Sequence, residues 1–240
     1  MSKAFKSTSW VLILTLLLLG VPMLAGAIAS AFDYEAFDPD GAFAWLYVHH
    51  LVQAFVFILL IVAIRRFRNL DFGLGMGDVT VGVKCVLRFA LLFSLYLVVT
   101  LVPAVLMGLL PVFAYPLTPR NVLGYLSFQL LMSGPSEELI FRAFAITMLG
   151  TVVKGRFLSG KVSLANFLAA LIFGLAHVSF SLAPFSVSFS IPQVLLSVVF
   201  GLFYGDCYEK SGSVLYPMIM HSFGNVATVG LTLIATVLIR

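Results

Sequence analysis

The sequence predicts an all-α protein, a polytopic transmembrane helical bundle of about seven spans, and three observations predict it. Of 240 residues, 61% are hydrophobic and only 10% are charged, and the mean hydropathy is +1.11, far beyond what a water-soluble domain uses. The apolar residues form long continuous runs, each near the roughly 20 residues of a membrane-crossing helix. A membrane barrel would instead alternate in short segments. Lys and Arg cluster between alternate runs, as they do in cytoplasmic loops.

The first run, Trp10 to Leu19, follows Lys3 and Lys6 and precedes Ala25-Gly26-Ala27, so it has the parts of a secretory signal. Apolarity continues to Ile28, long enough to cross, and an uncleaved span at 10–30 is expected. An outer loop with Asp33, Glu35, Asp38 and Asp40 leads to a second span at 44–64, whose outer end carries His49 and His50. That pair reads as interfacial or structural, with metal binding as the secondary reading. Arg65, Arg66 and Arg68 follow on the cytoplasmic side. Residues 69–84, with Gly73, Gly75 and Gly77, are too polar to span and read as a cytoplasmic loop or interfacial segment.

A third span is expected at 86–112 and a fourth at 121–153. The fourth would be about 50 Å long as a straight helix, well beyond a hydrocarbon core of about 30 Å. Gly134-Pro135 sits at its middle, where proline removes a backbone donor and predicts a break or strong kink, with a new helix from about Ser136. Lys154, Arg156 and Lys161 then precede a fifth span at 163–183. The serine-rich stretch Ser179 to Ser190 is an outer loop, and spans at 192–208 and 213–239 flank Lys210. This pattern places the N-terminus in the cytoplasm and the C-terminus outside. The net charge of +4 lies in these short clusters, which argues against nucleic acid as a partner. Cys85 and Cys207 have no CxxC spacing, so neither a disulfide framework nor a thiolate metal site is expected.

Ionisable residues inside spans are costly and mark function by default. They fall at Glu137, Glu138 and Arg142, at His177, and at His221 with Asn225. Glu138 and Arg142 stand at i and i+4 with the acid first, the favourable order for a same-face ion pair. Glu137 is rotated about 100° from that face, which leaves its carboxylate for chemistry. His221 and Asn225 share one helix face. A carboxylate, two imidazoles and a carboxamide suit amide hydrolysis, the glutamate taking a proton from water and His or Asn donating to an oxyanion. Glu137, His177 and His221 would equally make a three-ligand zinc site with an open position. A serine nucleophile fits less well, since no GxSxG elbow is present.

Glu137-Glu138-x-x-x-Arg142, Phe173-x-x-x-His177 and His221-x-x-x-Asn225, with the Gly212-Ser213 turn and Pro217, resemble in order the three motifs of the CAAX-protease and bacteriocin-processing (CPBP) intramembrane proteases. The resemblance covers the second half of the chain. It implies an active-site cavity within the membrane, opening toward the cytoplasm, and peptide-bond cleavage without a serine or cysteine nucleophile. Residue by residue, it implies Glu137 as the catalytic glutamate working on water with His177. His221 and Asn225 become the oxyanion groups, or metal ligands with zinc as cofactor, and Glu138 and Arg142 the supporting pair. It also implies a membrane-anchored protein or hydrophobic peptide as substrate, from prenylated CAAX tails to the targets of bacteriocin immunity, peptide processing and secretion control. The expected setting is a lipid bilayer, the plasma membrane if the source is prokaryotic, with residues 1–110 as N-terminal helices and loops and 111–240 as the catalytic core of one compact bundle. The competing classes are a non-proteolytic immunity or scaffold protein of the same fold and a proton-coupled transporter. Small size and the lack of internal repeats weigh against the transporter.

Overall fold

The computed structural model describes residues 3–109, 112–182 and 185–239. The boundary drawn at 110 and 111 lies outside the described residues. Five helices among those described are long and apolar enough to cross a membrane, lying within α1 (Lys3–Ala29), α2 (Ala44–Phe67), α3 (Val79–Leu106), α8 (Ile191–Ser211) and α9 (Leu215–Ile239). The protein is an integral, multi-pass, all-α bundle. Its outer surface is apolar, with Leu16, Leu91 and Leu95 exposed, as a hydrocarbon solvent requires.

Local chemistry sets where the helices start. Asp38, expected in an outer acidic loop, is buried and accepts from the backbone N–H groups of Ala42, Phe43 and Ala44 at 2.7–2.8 Å, satisfying the free donors at the start of α2. Asp40 accepts from the Asn121 carboxamide at 2.9 Å and so fastens that loop to the start of α4 (Pro119–Phe128). The third span begins at Val79 rather than 86, because the Asp78 side chain caps it by accepting from Val81 N–H. The glycine-rich loop before it is tied to the α8–α9 turn. Asp78 N–H donates to the Ser211 carbonyl, Val214 N–H to that of Gly73 and Ser213 Oγ to that of Gly75. Gly77 has φ +55°, and a Cβ there would lie 2.1 Å from the Ser211 oxygen, so only glycine fits.

The segment around Gly134-Pro135 stays helical where a break was one expectation. The chain runs on as one helical rod: α4, a π turn at Gln129–Ser133, α5 (Gly134–Glu138), a second π turn at Leu139–Phe144 and α6 (Ala145–Val152). Bonding from i to i−5 in a π turn widens the helix on either side of the proline, which lacks the donor for an α-helical bond. The rod is the centre of the bundle: Ile140, Ala143, Ala145 and Leu149 are fully buried. Phe144 meets Phe57 of α2 edge to face.

The fifth predicted span also differs. α7 (Leu164–Leu175) is 12 residues long, and His177 sits in the turn beyond it. The chain then forms an antiparallel hairpin, β3 (Ser179–Leu182) with β4 (Phe185–Ser188). The alternation of serine with Phe, Leu and Val has a period of two, the period of a strand and not of a helix. A smaller hairpin, β1 (Arg156–Phe157) with β2 (Val162–Ser163), joins α6 to α7.

Candidate active site

Four elements converge on the middle of the central rod. α5 supplies Ser136, Glu137 and Glu138, α9 supplies His221 and Asn225, the turn after α7 supplies His177, and α2 supplies His50.

The supporting pair lies as the helix geometry predicts. Glu138 Oε2 is 2.8 Å from Arg142 Nε, and both side chains are fully buried. The guanidinium carbon lies 4.6 Å from the Phe173 ring centre and 5.4 Å from that of Tyr204, so ring faces take up charge that water would otherwise solvate. The other oxygen of Glu138, Oε1, is 2.8 Å from His221 Nδ1. Glu138 therefore bridges Arg142 to His221, and Tyr204 stacks on the imidazole with centres 5.2 Å apart.

Glu137 is held differently. Its side chain is 18% exposed, with Oε2 3.8 Å from His221 Nε2 and Oε1 4.0 Å from His50 Nε2. Both separations exceed direct hydrogen-bonding distance and suit a bridging water or substrate atom. His177 packs edge-on against the Phe173 ring with centres 4.9 Å apart, and the same ring lies 6.0 Å from that of His221. His177 Nδ1 is 2.9 Å from the Phe173 carbonyl, which only accepts, so Nδ1 carries the hydrogen and Nε2 keeps a lone pair. Asn225 donates to Ser133 Oγ at 3.0 Å and Ser222 Oγ to the Leu130 carbonyl at 2.8 Å. Both bonds stitch α9 to the π turn. The structure thus gathers Glu137, Glu138, Arg142, His177, His221 and Asn225 in one region.

His50 is the residue that sequence reasoning placed elsewhere. The histidine pair divides: His49 stacks on Trp45 with ring centres 4.9 Å apart, whereas His50 turns inward, 8% exposed. Its Nδ1 meets Ser136 Oγ at 2.6 Å and Gln53 Nε2 at 3.0 Å. An imidazole in an apolar span with a carboxamide three residues on was the available signal.

Among the described residues, no set of three His, Cys, Asp or Glu side chains is disposed to hold a metal ion. The donors as placed do not converge as a tetrahedral zinc site asks, and the chemistry below uses no step through a metal.

Gly134 allows this assembly. A Cβ there would lie 2.8 Å from Ser222 Oγ, 2.9 Å from the Ser222 backbone nitrogen and 3.2 Å from His221 Cβ. Gly134→Ala is expected to push α9 away from α5 and cost about 1–3 kcal/mol by overpacking. Kcat should fall with it as His221 leaves Glu137, and paired unfolding and cleavage measurements would check both.

Residues 119–227 match the family described as Rce1-like, type II CAAX prenyl endopeptidase. The match runs from α4 through Asn225 and leaves α2, with His50, outside it. No curated protein and no solved structure matches the chain.

Proposed function

We propose that this chain, whose residues 119–227 match the Rce1-like type II CAAX prenyl endopeptidase family, is an intramembrane endopeptidase of the CPBP type that cuts a membrane-anchored protein or hydrophobic peptide with water activated by Glu137. One observation carries the reading. Of two adjacent carboxylates, Glu138 is consumed by Arg142 and His221, whereas Glu137 is left among imidazoles at 3.8 and 4.0 Å.

Glu137 takes a proton from water as the oxygen adds to the substrate carbonyl. When the tetrahedral intermediate collapses, the C–N bond breaks and Glu137 returns that proton to the leaving nitrogen. His177 and His221 hold their Nδ1 hydrogens on fixed acceptors, so in the neutral form of either ring Nε2 keeps a lone pair, and one of the two accepts the water's second hydrogen. His221 joins Asn225 as an oxyanion donor only in its protonated form. The buried walls exclude bulk water, which strengthens each of these interactions. On this reading residues 111–240 are the catalytic core and 1–110 the helices that close around it. On the same reading the N-terminus lies on the cytoplasmic side of a plasma membrane, an orientation that the Lys and Arg clusters between alternate spans support.

The test is reconstitution in vesicles with membrane-anchored peptides in heavy-oxygen water. A new C-terminus carrying one heavy oxygen is the expected product. Peptide held intact by the wild-type protein, with no new terminus, would favour the immunity or scaffold class instead.

A further inference from the structure

We propose that His50 is a catalytic residue, a further hydrogen-bond donor, beside Asn225, to the oxyanion formed when water adds to the substrate carbonyl next to Glu137. The inference rests on the peptidase reading and adds to it a residue outside the family match.

Three imidazoles surround Glu137, and their fixed partners distinguish them. His177 Nδ1 faces the Phe173 carbonyl and His221 Nδ1 faces the Glu138 carboxylate. Both partners only accept, so in each neutral ring Nδ1 holds the hydrogen and Nε2 presents a lone pair. His50 is wired the other way. The amide nitrogen of Gln53 only donates, so His50 Nδ1 accepts from it at 3.0 Å; Ser136 Oγ, 2.6 Å from the same nitrogen, shares its one hydrogen with the Ser133 carbonyl at 3.2 Å. The ring hydrogen of His50 is then on Nε2, the nitrogen 4.0 Å from Glu137 Oε1. Of the three neutral rings, His50 alone presents N–H to the reacting centre.

Its surroundings fit a preorganised donor. Gln53 and Ser136 are each 3% exposed, and the Phe128 ring packs edge-on against the imidazole with centres 4.9 Å apart, so the ring is fixed before substrate arrives. A carbonyl attacked by water at Glu137 develops its charge within a few ångströms of that carboxylate. The C–O bond forms, the carbonyl pair moves onto oxygen, the proton goes to Glu137, and His50 lends an N–H without losing it. A fixed donor of this kind is worth about 10²–10³ in kcat.

Two measurements test this. Nitrogen NMR of histidine-labelled wild-type protein should show the His50 hydrogen on Nε2, a readout independent of cleavage. In kinetics, His50→Ala should lower kcat about 10²–10³-fold with KM within about twofold. His50→Gln, which carries an N–H at the ε position, should recover activity well above His50→Asn, whose amide stops short. This pair decides the matter even if the alanine variant fails to fold. The proposal is overturned by a hydrogen on Nδ1, by Gln no better than Asn, or by a folded His50→Ala with kcat within about threefold of wild type. Undiminished cleavage by Glu137→Gln would instead remove the peptidase reading, so the two failures are told apart.

Discussion

Glu137→Gln is expected to lower kcat for peptide cleavage by about 10²–10⁴-fold, the usual worth of a positioned general base, while the protein stays folded. The carboxamide matches the carboxylate in size but cannot take a proton from water. The fold should tolerate it because Glu137 is partly exposed and its nearest imidazole nitrogens are 3.8 and 4.0 Å away, beyond direct hydrogen bonds that the change would break. KM should hold or fall slightly, so that peptide accumulates on the variant and can be identified from membranes. Steady-state kinetics with an unfolding measurement on the same preparation would check both parts. Wild-type kcat in the variant would take the base role from Glu137. A chelator separates the metal account: activity lost on chelation and restored by zinc would require a bound ion.

Arg142→Met is expected to produce the largest loss of stability, about 3–5 kcal/mol, because it leaves Glu138 as an uncompensated anion at a site with no solvent. Both side chains have zero exposure, so water cannot replace the guanidinium. The loss spreads to the site, since Glu138 also orients His221 through Nδ1. Replacing both partners, Glu138→Gln with Arg142→Met, should be less damaging than Arg142→Met alone, because no unpaired charge remains. Unfolding of wild type, Arg142→Met, Glu138→Gln and the double variant in detergent micelles measures the coupling. An unchanged midpoint for Arg142→Met would show that the pair does not hold the bundle together.

Much of the site was legible because helical spacing is local information. The Glu138–Arg142 pair and the released Glu137 follow from i, i+4 geometry, and the structure places them accordingly. The expected break at Gly134-Pro135 did not appear because π turns on either side of the proline let helical bonding resume where the proline lacks a donor. The 163–183 span failed because apolar content was weighed above the two-residue alternation after His177, which builds a hairpin. Asp38 and Asp40 read as solvated acids, yet one caps α2 and the other ties down α4, roles that depend on where the chain returns in space.

The sequence by itself determined the membrane-spanning helical character and the gathering of chemistry in the second half, because hydropathy, charge placement and motif spacing act over one or two helical turns. Only the tertiary structure decided that His50 and His221 face Glu137, each with Nε2 toward it. His50 and Ser136 are 86 residues apart in the chain. Their meeting depends on how α2 packs against α5, and the hydrogen on the ring is set by partners that packing alone brings within reach.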